Sequence, residues 1–212
     1  MRIIGVALAA GLALAGCSDE ESGQPTAAGG PVTAPTGAGE PTADGPDNPG
    51  GGNTGADAPK VPDPIPAAVI EKFRKDPCAL LTSGQMSGFG YTKAEPKESE
   101  TTGPGCDWSG DDGGSSMSLP PERILGMSGP YSQKHTYKYF EPISVGGYPA
   151  LFADTYDDRN KGGCGLPVAL TDDQLMTTAA QFRPTSPYYQ SGACDQLKLA
   201  AEAAMETIKA AS

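Results

Sequence analysis

Histidine is nearly missing from this chain of 212 residues, which contains only His135. Acid–base and nucleophilic catalysis need a base that a neighbouring group orients, whereas His135 lies in a polar stretch typical of a solvated surface. The spacings G-x-S-x-G, H-E-x-x-H and S-x-x-K, which indicate common hydrolytic sites, are absent as well. The sequence therefore predicts a non-enzymatic protein. An enzyme that works with carboxylates alone is the alternative.

Basic residues are few: 15 lysines and arginines stand against 26 acidic residues, and the formal net charge is −11. Proteins that bind nucleic acid present a basic stripe to the phosphates. This chain has none, so we expect no nucleic-acid partner. The acidity is uneven, because residues 18–66 carry a net charge of −7 and residues 67–212 carry only −5.

No hydrophobic run reaches the roughly 20 residues that a helix needs to span a bilayer. The run Ile3–Leu14 follows Arg2 and leads into Leu14-Ala15-Gly16-Cys17. A positive charge, a short apolar core and small residues before a cleavage site are typical of an export signal, and this ending is the lipobox of bacterial lipoproteins. We expect removal of residues 1–16 and a lipid on Cys17, which would anchor the protein to the outer face of a bacterial plasma membrane. The alternatives are an uncleaved anchor or a chance match.

Aromatic residues are absent from residues 17–66, and the only large aliphatic residues there are Val32, Val61 and Ile65. Such a segment, rich in glycine and proline, buries too little apolar surface to offset the entropy lost on ordering. We therefore expect a disordered acidic tether that begins at the lipidated Cys17. Residues 67–212 have the usual size of one domain and are expected to form a single extracellular domain.

Cysteine pairs with metal-binding spacing are lacking, and the four cysteines after Cys17 lie far apart, at Cys78, Cys106, Cys164 and Cys194. An even number of cysteines in a small exported domain indicates disulfides, here two. Cys78 and Cys194 fall in the first turns of predicted helices, and the other two fall at the starts of predicted strands. This placement favours the pairs Cys78–Cys194 and Cys106–Cys164.

Asp-Asp doublets occur three times, and paired carboxylates can act as an acid and a base. All of them lie at predicted turns, where Asp hydrogen-bonds to the backbone: Asp111-Asp112, Asp157-Asp158 and Asp172-Asp173. Turn formation is the favoured interpretation, and we expect no metal and no cofactor. A calcium site is the alternative, although the EF-hand spacing is absent; its ligands would be Asp154, Asp157, Asp158 and Asn160.

The predicted elements run in the order helix, strands, helix. Asp76–Leu81 opens with an N-cap aspartate and a proline, Thr82–Gln85 has capping-box spacing, and about Gly192–Ala210 has one apolar helical face. A turn or two of helix is also expected over 67–73 and a brief helix near 120–125.

Turns at Asp111–Gly114 and Gly146-Gly147 separate predicted antiparallel strands. Strands are predicted at 106–109, 116–119, 137–145, 148–154, 165–170 and 175–182. The fold class is therefore α+β, with about five to six antiparallel strands and both terminal helices on one face of the sheet.

Tyrosines are concentrated in the middle of the chain, near Gly146-Gly147. Tyrosine is common in binding surfaces because its ring is rigid and amphipathic, and glycine permits a close approach to the backbone. We expect some of these side chains to share an exposed or pocket-lining surface that binds a ligand: Tyr131, Tyr137, Tyr139 and Tyr148. The alternative is that alternate members fill the core face of the sheet.

Five segments together resemble a known family: Asp76-Pro77-Cys78-Ala79-Leu80-Leu81, Cys106-Asp107-Trp108, Gly147-Tyr148-Pro149-Ala150, a strand led by Cys164 and a terminal helix opened by Cys194. The resemblance is to the actinobacterial lipoproteins of the domain of unknown function 3558 family, over about residues 74–210. The D-P-C helix start and the C-x-W strand are its most specific parts, and Ser191-Gly192-Ala193-Cys194 departs from it by lacking a second D-P-C. The resemblance implies an envelope location and fold, and no activity.

The sequence thus predicts a lipid-anchored domain at the cell envelope that binds or scaffolds a partner. The partner classes left open are an envelope protein, a peptide, a glycan and a small ligand. A structural or immunity-type lipoprotein that binds another protein is a further alternative.

Overall fold

The structure, a computed structural model, describes residues 57–120 and 126–212. The expected signal sequence, Cys17, the tether up to residue 56 and most of the brief helix expected near 120–125 lie outside these residues.

The described residues form an α+β fold around one antiparallel sheet, which confirms the predicted class. The strands are β1 (Lys93–Lys97), β2 (Gly105–Gly110), β3 (Gly113–Ser118), β4 (Tyr139–Val145), β5 (Tyr148–Asp154), β6 (Gly163–Gly165), β7 (Val168–Ala169) and β8 (Leu175–Phe182). Their order in the sheet is β1-β2-β3-β8-β7-β5-β4, and β6 also pairs with β8. Both predicted hairpins are present, as β2–β3 and β4–β5.

The eight strands exceed the five to six expected, for two reasons. First, β6 and β7 are one strand interrupted at Pro167: the pairs Gly165↔Ala179 and Val168↔Met176 share one register along β8, and proline has no N–H to give to the ladder. Second, β1 has no alternation of apolar and polar residues, so the sequence does not reveal it.

The helices are α1 (Ala67–Lys75), α2 (Ser83–Gly88), α3 (Ser128–Ser132) and α4 (Ala193–Ala210). The capping box of α2 is confirmed, because Gln85 N donates to Thr82 Oγ1 at 3.3 Å and Thr82 N donates to Gln85 Oε1 at 2.8 Å. The helix expected at Asp76–Leu81 is a single 3-10 turn over Pro77–Leu80, and Asp76 makes no side-chain cap bond. A proline supplies the fixed φ of the turn without the aspartate cap.

The core lies between the sheet and the helices α1 and α4. The apolar face expected of the last helix is confirmed, since all five of its predicted members are buried: Leu197, Ala201, Ala204, Met205 and Ile208. Helix α1 packs against α4 and buries Val69, Ile70 and Phe73. Truncation to alanine of the larger of these side chains, such as Ile70, Phe73 and Leu197, typically costs about 2–5 kcal/mol each.

Both disulfides are present, but the predicted pairing is wrong. The bonds join Cys78 to Cys106 and Cys164 to Cys194, with Cα–Cα distances of 5.0 and 5.2 Å. Strands β3 and β8 lie between the strands that carry Cys106 and Cys164, so three strand spacings separate these cysteines, roughly 14 Å. A disulfide requires Cα atoms within about 7 Å, which excludes the expected Cys106–Cys164 bond.

The packed part of the chain begins before residue 67. Residues 58–66, here called the strap, run along the end of the sheet and bury Val61 and Ile65, which are 8% and 3% exposed. Ile65 N donates to Leu170 O at 2.9 Å, and Val61 N donates to Asp172 Oδ1 at 3.0 Å. The two aliphatic residues that the sequence analysis assigned to the tether therefore belong to the core.

Antiparallel pairing gives the sheet two distinct ends. At the near end lie the strap and the turns Gly146-Gly147 and Thr171–Gln174, since Val145 pairs with Tyr148 and Ala169 pairs with Leu175. At the far end lie the loops 155–162 and 183–192, which follow β5 and β8. Helix α4 begins at the far end, and its Lys209 Nζ donates to Gly146 O at the near end.

The two outermost strands of the sheet, β1 and β4, both contain a proline. Pro96 lies in β1 and Pro142 in β4, and both strands pair on one side only within the described residues. Proline removes a backbone donor and is tolerated in sheets mainly at edges. Charged side chains accompany both prolines: Lys93, Glu95, Lys97 and Glu141.

Candidate functional site

An open cleft of about 580 Å³, here called the far cleft, lies at the far end of the sheet. One wall is formed by β4, β5 and the loop 155–162. The other wall is formed by the start of α4 and the residues before it. The side chains that matter for its chemistry are Tyr139, Phe152, Arg159 and Asn160 on the first wall, and Gln190, Ser191 and Asp195 on the second.

The loop wall is held by the carboxylate of Asp154. Asp154 Oδ1 accepts from Tyr156 N and Oδ2 accepts from Asp158 N, both at 2.8 Å. Asp157 adopts the left-handed conformation, with φ of 57°, which aspartate tolerates better than most residues. Gly162 closes the loop with φ of 76°, and a Cβ there would lie 2.5 Å from Phe182 O, so the position requires glycine.

Arg159 is fixed in the cleft by two neighbours. Its Nε and Nη2 donate to the two carboxylate oxygens of Asp157 at 2.5 and 2.9 Å, and its Cζ lies 3.5 Å from the centre of the Tyr139 ring. The hydrogen bonds from Arg159 lower the pKa of Asp157 below its usual range, and the same contact raises the pKa of Arg159. A paired and stacked guanidinium of this kind is pre-organised rather than free.

Tyr139 connects Arg159 with the sheet. Its ring lies nearly parallel to that of Phe152, with an interplanar angle of 16° and ring centres 6.2 Å apart, and its hydroxyl donates to Glu141. Partial burial, with a smaller effect from Glu141, raises the pKa of the Tyr139 hydroxyl. The hydroxyl therefore stays protonated and acts as a donor at neutral pH.

The second wall is tied to the first by a covalent bond. Cys194, in the first turn of α4, is bonded to Cys164 in β6, directly after the loop. Gly192, with φ of 91°, turns the chain into the helix. In the part of the chain that the structure describes, the side chains of Asn160, Gln190, Ser191 and Asp195 make no hydrogen bond to protein atoms and are exposed.

Of the four tyrosines proposed from the sequence as a binding surface, Tyr131 and Tyr137 lie together, and the other two lie apart from them and from each other. Tyr139 lines the far cleft, whereas Tyr131 and Tyr137 lie on the opposite face of β4 and pack on Phe140, with ring centres 5.2 and 5.9 Å apart. Tyr148 is a core residue, 6% exposed, and its hydroxyl donates to Asp63 O in the strap at 2.8 Å. The alternation of side chains across a strand separates Tyr139 from Tyr131 and Tyr137.

The acidic doublets lie at turns or loop ends, as expected. In the second of them, Asp157 pairs with Arg159 and Asp158 pairs with Lys161. Within residues 57–120 and 126–212, no group of three or more His, Cys, Asp or Glu side chains is arranged to hold a metal ion. His135 is exposed on a 3-10 turn over Lys134–Thr136.

The sequence indicates no binding role for Arg159 and Asp195, which fall in a predicted turn and a helix start, and it suggests Asn160 only as a ligand of the alternative calcium site. The polar run Asp157-Asp158-Arg159-Asn160 was the available signal. That it faces the start of α4 follows from the Cys164–Cys194 bond, which the sequence did not reveal.

The family model described as "Protein of unknown function (DUF3558)" matches residues 12–207. No curated protein and no solved structure matches the chain.

Proposed function

The chain belongs to the DUF3558 family, whose description gives no activity, and from this premise we propose that it is a lipid-anchored lipoprotein on the outer face of a bacterial plasma membrane. Its folded domain is non-enzymatic and binds an envelope component in the far cleft. Two independent features support the proposal: the N-terminal sequence and the position of the cleft.

The anchor is supported by the sequence. Arg2, the short apolar run and Leu14-Ala15-Gly16-Cys17 form an export signal with a lipobox. Among the described residues, no helix is both long and apolar enough to cross a membrane. Attachment would then depend on acyl chains at Cys17, and two or more chains hold a protein firmly.

The main support for the binding proposal is the position of the far cleft relative to the strap. The tether joins the domain through the strap at the near end, where Tyr148 holds Asp63. The cleft lies beyond the other end of β5, whose seven residues span roughly 20 Å. A domain attached at its near end presents the cleft away from the attachment point, where an envelope ligand can reach it.

The construction of the cleft also supports binding. Its walls are joined by the Cys164–Cys194 bond, and Arg159 is held by Asp157 and Tyr139. Walls that are already ordered lose little entropy when a ligand binds.

The pKa values of Asp157 and Asp172 do not support the alternative of an enzyme that works with carboxylates. Hydrogen bonds from Arg159 lower the pKa of Asp157, and a hydrogen bond from Val61 N lowers the pKa of Asp172. A carboxylic acid that donates a proton near neutral pH needs a raised pKa. Neither residue is suited to that role.

Two measurements in intact cells test the proposal. Cys17→Ala should prevent lipid attachment, so that the chain accumulates as precursor or leaves the membrane fraction; a variant that is processed and still partitions with detergent contradicts the anchor. A photo-reactive residue in place of Gln190, at the cleft, should form a defined adduct that the same residue in place of Glu206, on the exposed part of α4, does not form. Equal adducts, or none at Gln190, contradict binding in the cleft.

A further inference from the structure

We infer that the ligand of the far cleft is an uncharged, hydroxyl-rich saccharide of the envelope. This inference rests on the proposed function and names the ligand class of the same site. Three observations support it. Several polar side chains in the cleft make no hydrogen bond to the protein within the described residues, Arg159 is already paired with Asp157, and the cleft exposes little apolar surface.

The uncommitted groups suit hydroxyl ligands. Asn160, Gln190 and Asp195 offer two amides and a carboxylate that make no hydrogen bond to the protein in the described residues. A hydroxyl both donates and accepts one or more hydrogen bonds, so adjacent hydroxyls are satisfied by a mixture of carboxylate and amide groups. Gln190 and Asp195 lie on one wall and Asn160 on the other, so a ligand that fills the cleft meets both.

The charges disfavour an anionic ligand. Arg159 Nε and Nη2 already donate to the carboxylate of Asp157. This pair of nitrogens is therefore hydrogen-bonded within the protein. Glu141 and Asp195 add two further carboxylates to the lining. A phosphate or carboxylate ligand would share the guanidinium with the carboxylate of Asp157 and approach these two acids, and this like-charge repulsion opposes its binding.

The shortage of apolar surface disfavours a peptide. Protein partners usually anchor through buried apolar or aromatic side chains that enter a pocket. The aromatic residue at the floor of the far cleft, Phe152, is only 7% exposed, and one face of the Tyr139 ring is covered by Arg159. The adjoining edge strand contains Pro142, which interrupts the ladder that an added peptide strand would need.

The loop 155–162 carries one exposed aromatic ring. Tyr156 is 73% exposed and precedes the cleft residue Asp157 in the chain, and its backbone N donates to Asp154 Oδ1. The C–H face of a sugar ring packs on an aromatic face while its hydroxyls reach polar neighbours. We expect Tyr156, next to the cleft in the chain, to offer the stacking surface, and Asn160, Gln190 and Asp195 to make the hydrogen bonds.

The test is calorimetric titration of the full-length protein in detergent micelles. The probes are three neutral oligosaccharides, namely an N-acetylglucosamine tetramer, a galactan fragment and an arabinan fragment, with tri-alanine as a peptide comparison. At least one saccharide should bind. Asp195→Asn and Asn160→Ala should each weaken that binding about tenfold, the effect of losing one good hydrogen bond, and Tyr156→Ala should weaken it severalfold.

The matched control is Glu206→Gln, which removes one exposed carboxylate from the same helix roughly 16 Å from Asp195 and should leave affinity unchanged. Binding of none of the three saccharides, or equal loss in Asp195→Asn and Glu206→Gln, overturns the saccharide assignment. Binding of tri-alanine in place of the saccharides overturns it too. If the Gln190 adduct still forms in cells, the proposed binding function survives that failure; if the adduct is also missing, both fall.

Discussion

The Cζ atom of Arg159 lies 3.5 Å from the centre of the Tyr139 ring, while two nitrogens of the same guanidinium donate to Asp157. The loop 155–162 is thereby attached to the edge strand β4 through one side chain. An exposed ion pair alone contributes little to stability, so the contact matters chiefly for local order in the far cleft.

Arg159→Lys should loosen the loop without unfolding the domain. Lysine keeps the charge but loses the planar fork and the stacking surface, so amide hydrogen exchange in residues 155–160 should rise severalfold while the melting temperature changes by about 2 °C or less. Lys161→Ala is the control, because it removes the single Lys161–Asp158 ion pair in the same loop. A comparable rise in Lys161→Ala would show that Arg159 has no special part in ordering the loop.

Peptide mapping without reduction should find Cys78 linked to Cys106 and Cys164 linked to Cys194. The two bonds span 28 and 30 residues, so chain entropy assigns each about 3–4 kcal/mol. The double variants Cys78→Ser/Cys106→Ser and Cys164→Ser/Cys194→Ser are therefore matched, and each should lower the free energy of unfolding by a similar amount. Only the double variant Cys164→Ser/Cys194→Ser, which separates the walls of the far cleft, should also abolish adduct formation at Gln190. A peptide linking Cys78 to Cys194 would disprove the arrangement.

The strap should contribute stability that depends on pH through Asp172. Hydrogen bonds from Val61 N and Lys60 lower its pKa in the folded state from the ordinary value of 3.8. Protonation therefore favours the unfolded chain: the contribution is complete above pH 3.8 and is lost as the pH falls through the folded-state pKa. Asp172→Asn should be less stable than wild type at pH 7, and this difference in the free energy of unfolding should shrink as the pH falls below 3.8.

Asp173→Asn is the control for this prediction, because its exposed side chain neighbours Asp172 and makes no hydrogen bond within the described residues. Denaturant unfolding at pH 7 and below pH 3.8 measures the difference. A deficit in Asp172→Asn that persists unchanged at low pH would refute the electrostatic origin.

Tyr148→Phe should lower the free energy of unfolding by about 0.5–1.5 kcal/mol, because it leaves Asp63 O without its hydrogen bond. Tyr137→Phe removes a hydroxyl from a half-buried ring that makes no such bond and should change stability by a few tenths of a kcal/mol at most. Equal effects would mean that the strap is not held by Tyr148.

Local patterns in the sequence predicted local structure well. The five-residue apolar face of α4, the Thr82–Gln85 capping box and both hairpins follow from spacing over a few residues. Predictions that depend on distant parts of the chain were less successful. The pairing of β3 with β8 joins residues about sixty positions apart, and that pairing sets the positions of Cys106 and Cys164, so the disulfide prediction was wrong.

The candidate site was only partly visible for the same reason. The density of tyrosines predicts Tyr139 as a binding residue, but the sequence does not show which strand face meets α4. Phe140, its neighbour in β4, faces the other way and packs on Tyr131. Arg159 and Asp195 become site residues only because the fold brings a loop and a helix start together.

The prolines in β1 and β4 have a consequence for a protein confined to a surface. Copies held on a membrane by lipid, as proposed, meet one another at a much higher local concentration than copies free in solution. A continuous outer strand would then join neighbours into a growing ribbon of paired strands. Because Pro96 and Pro142 each remove a donor from an outer strand, they disfavour the addition of a strand from a neighbouring copy, even where copies are crowded together.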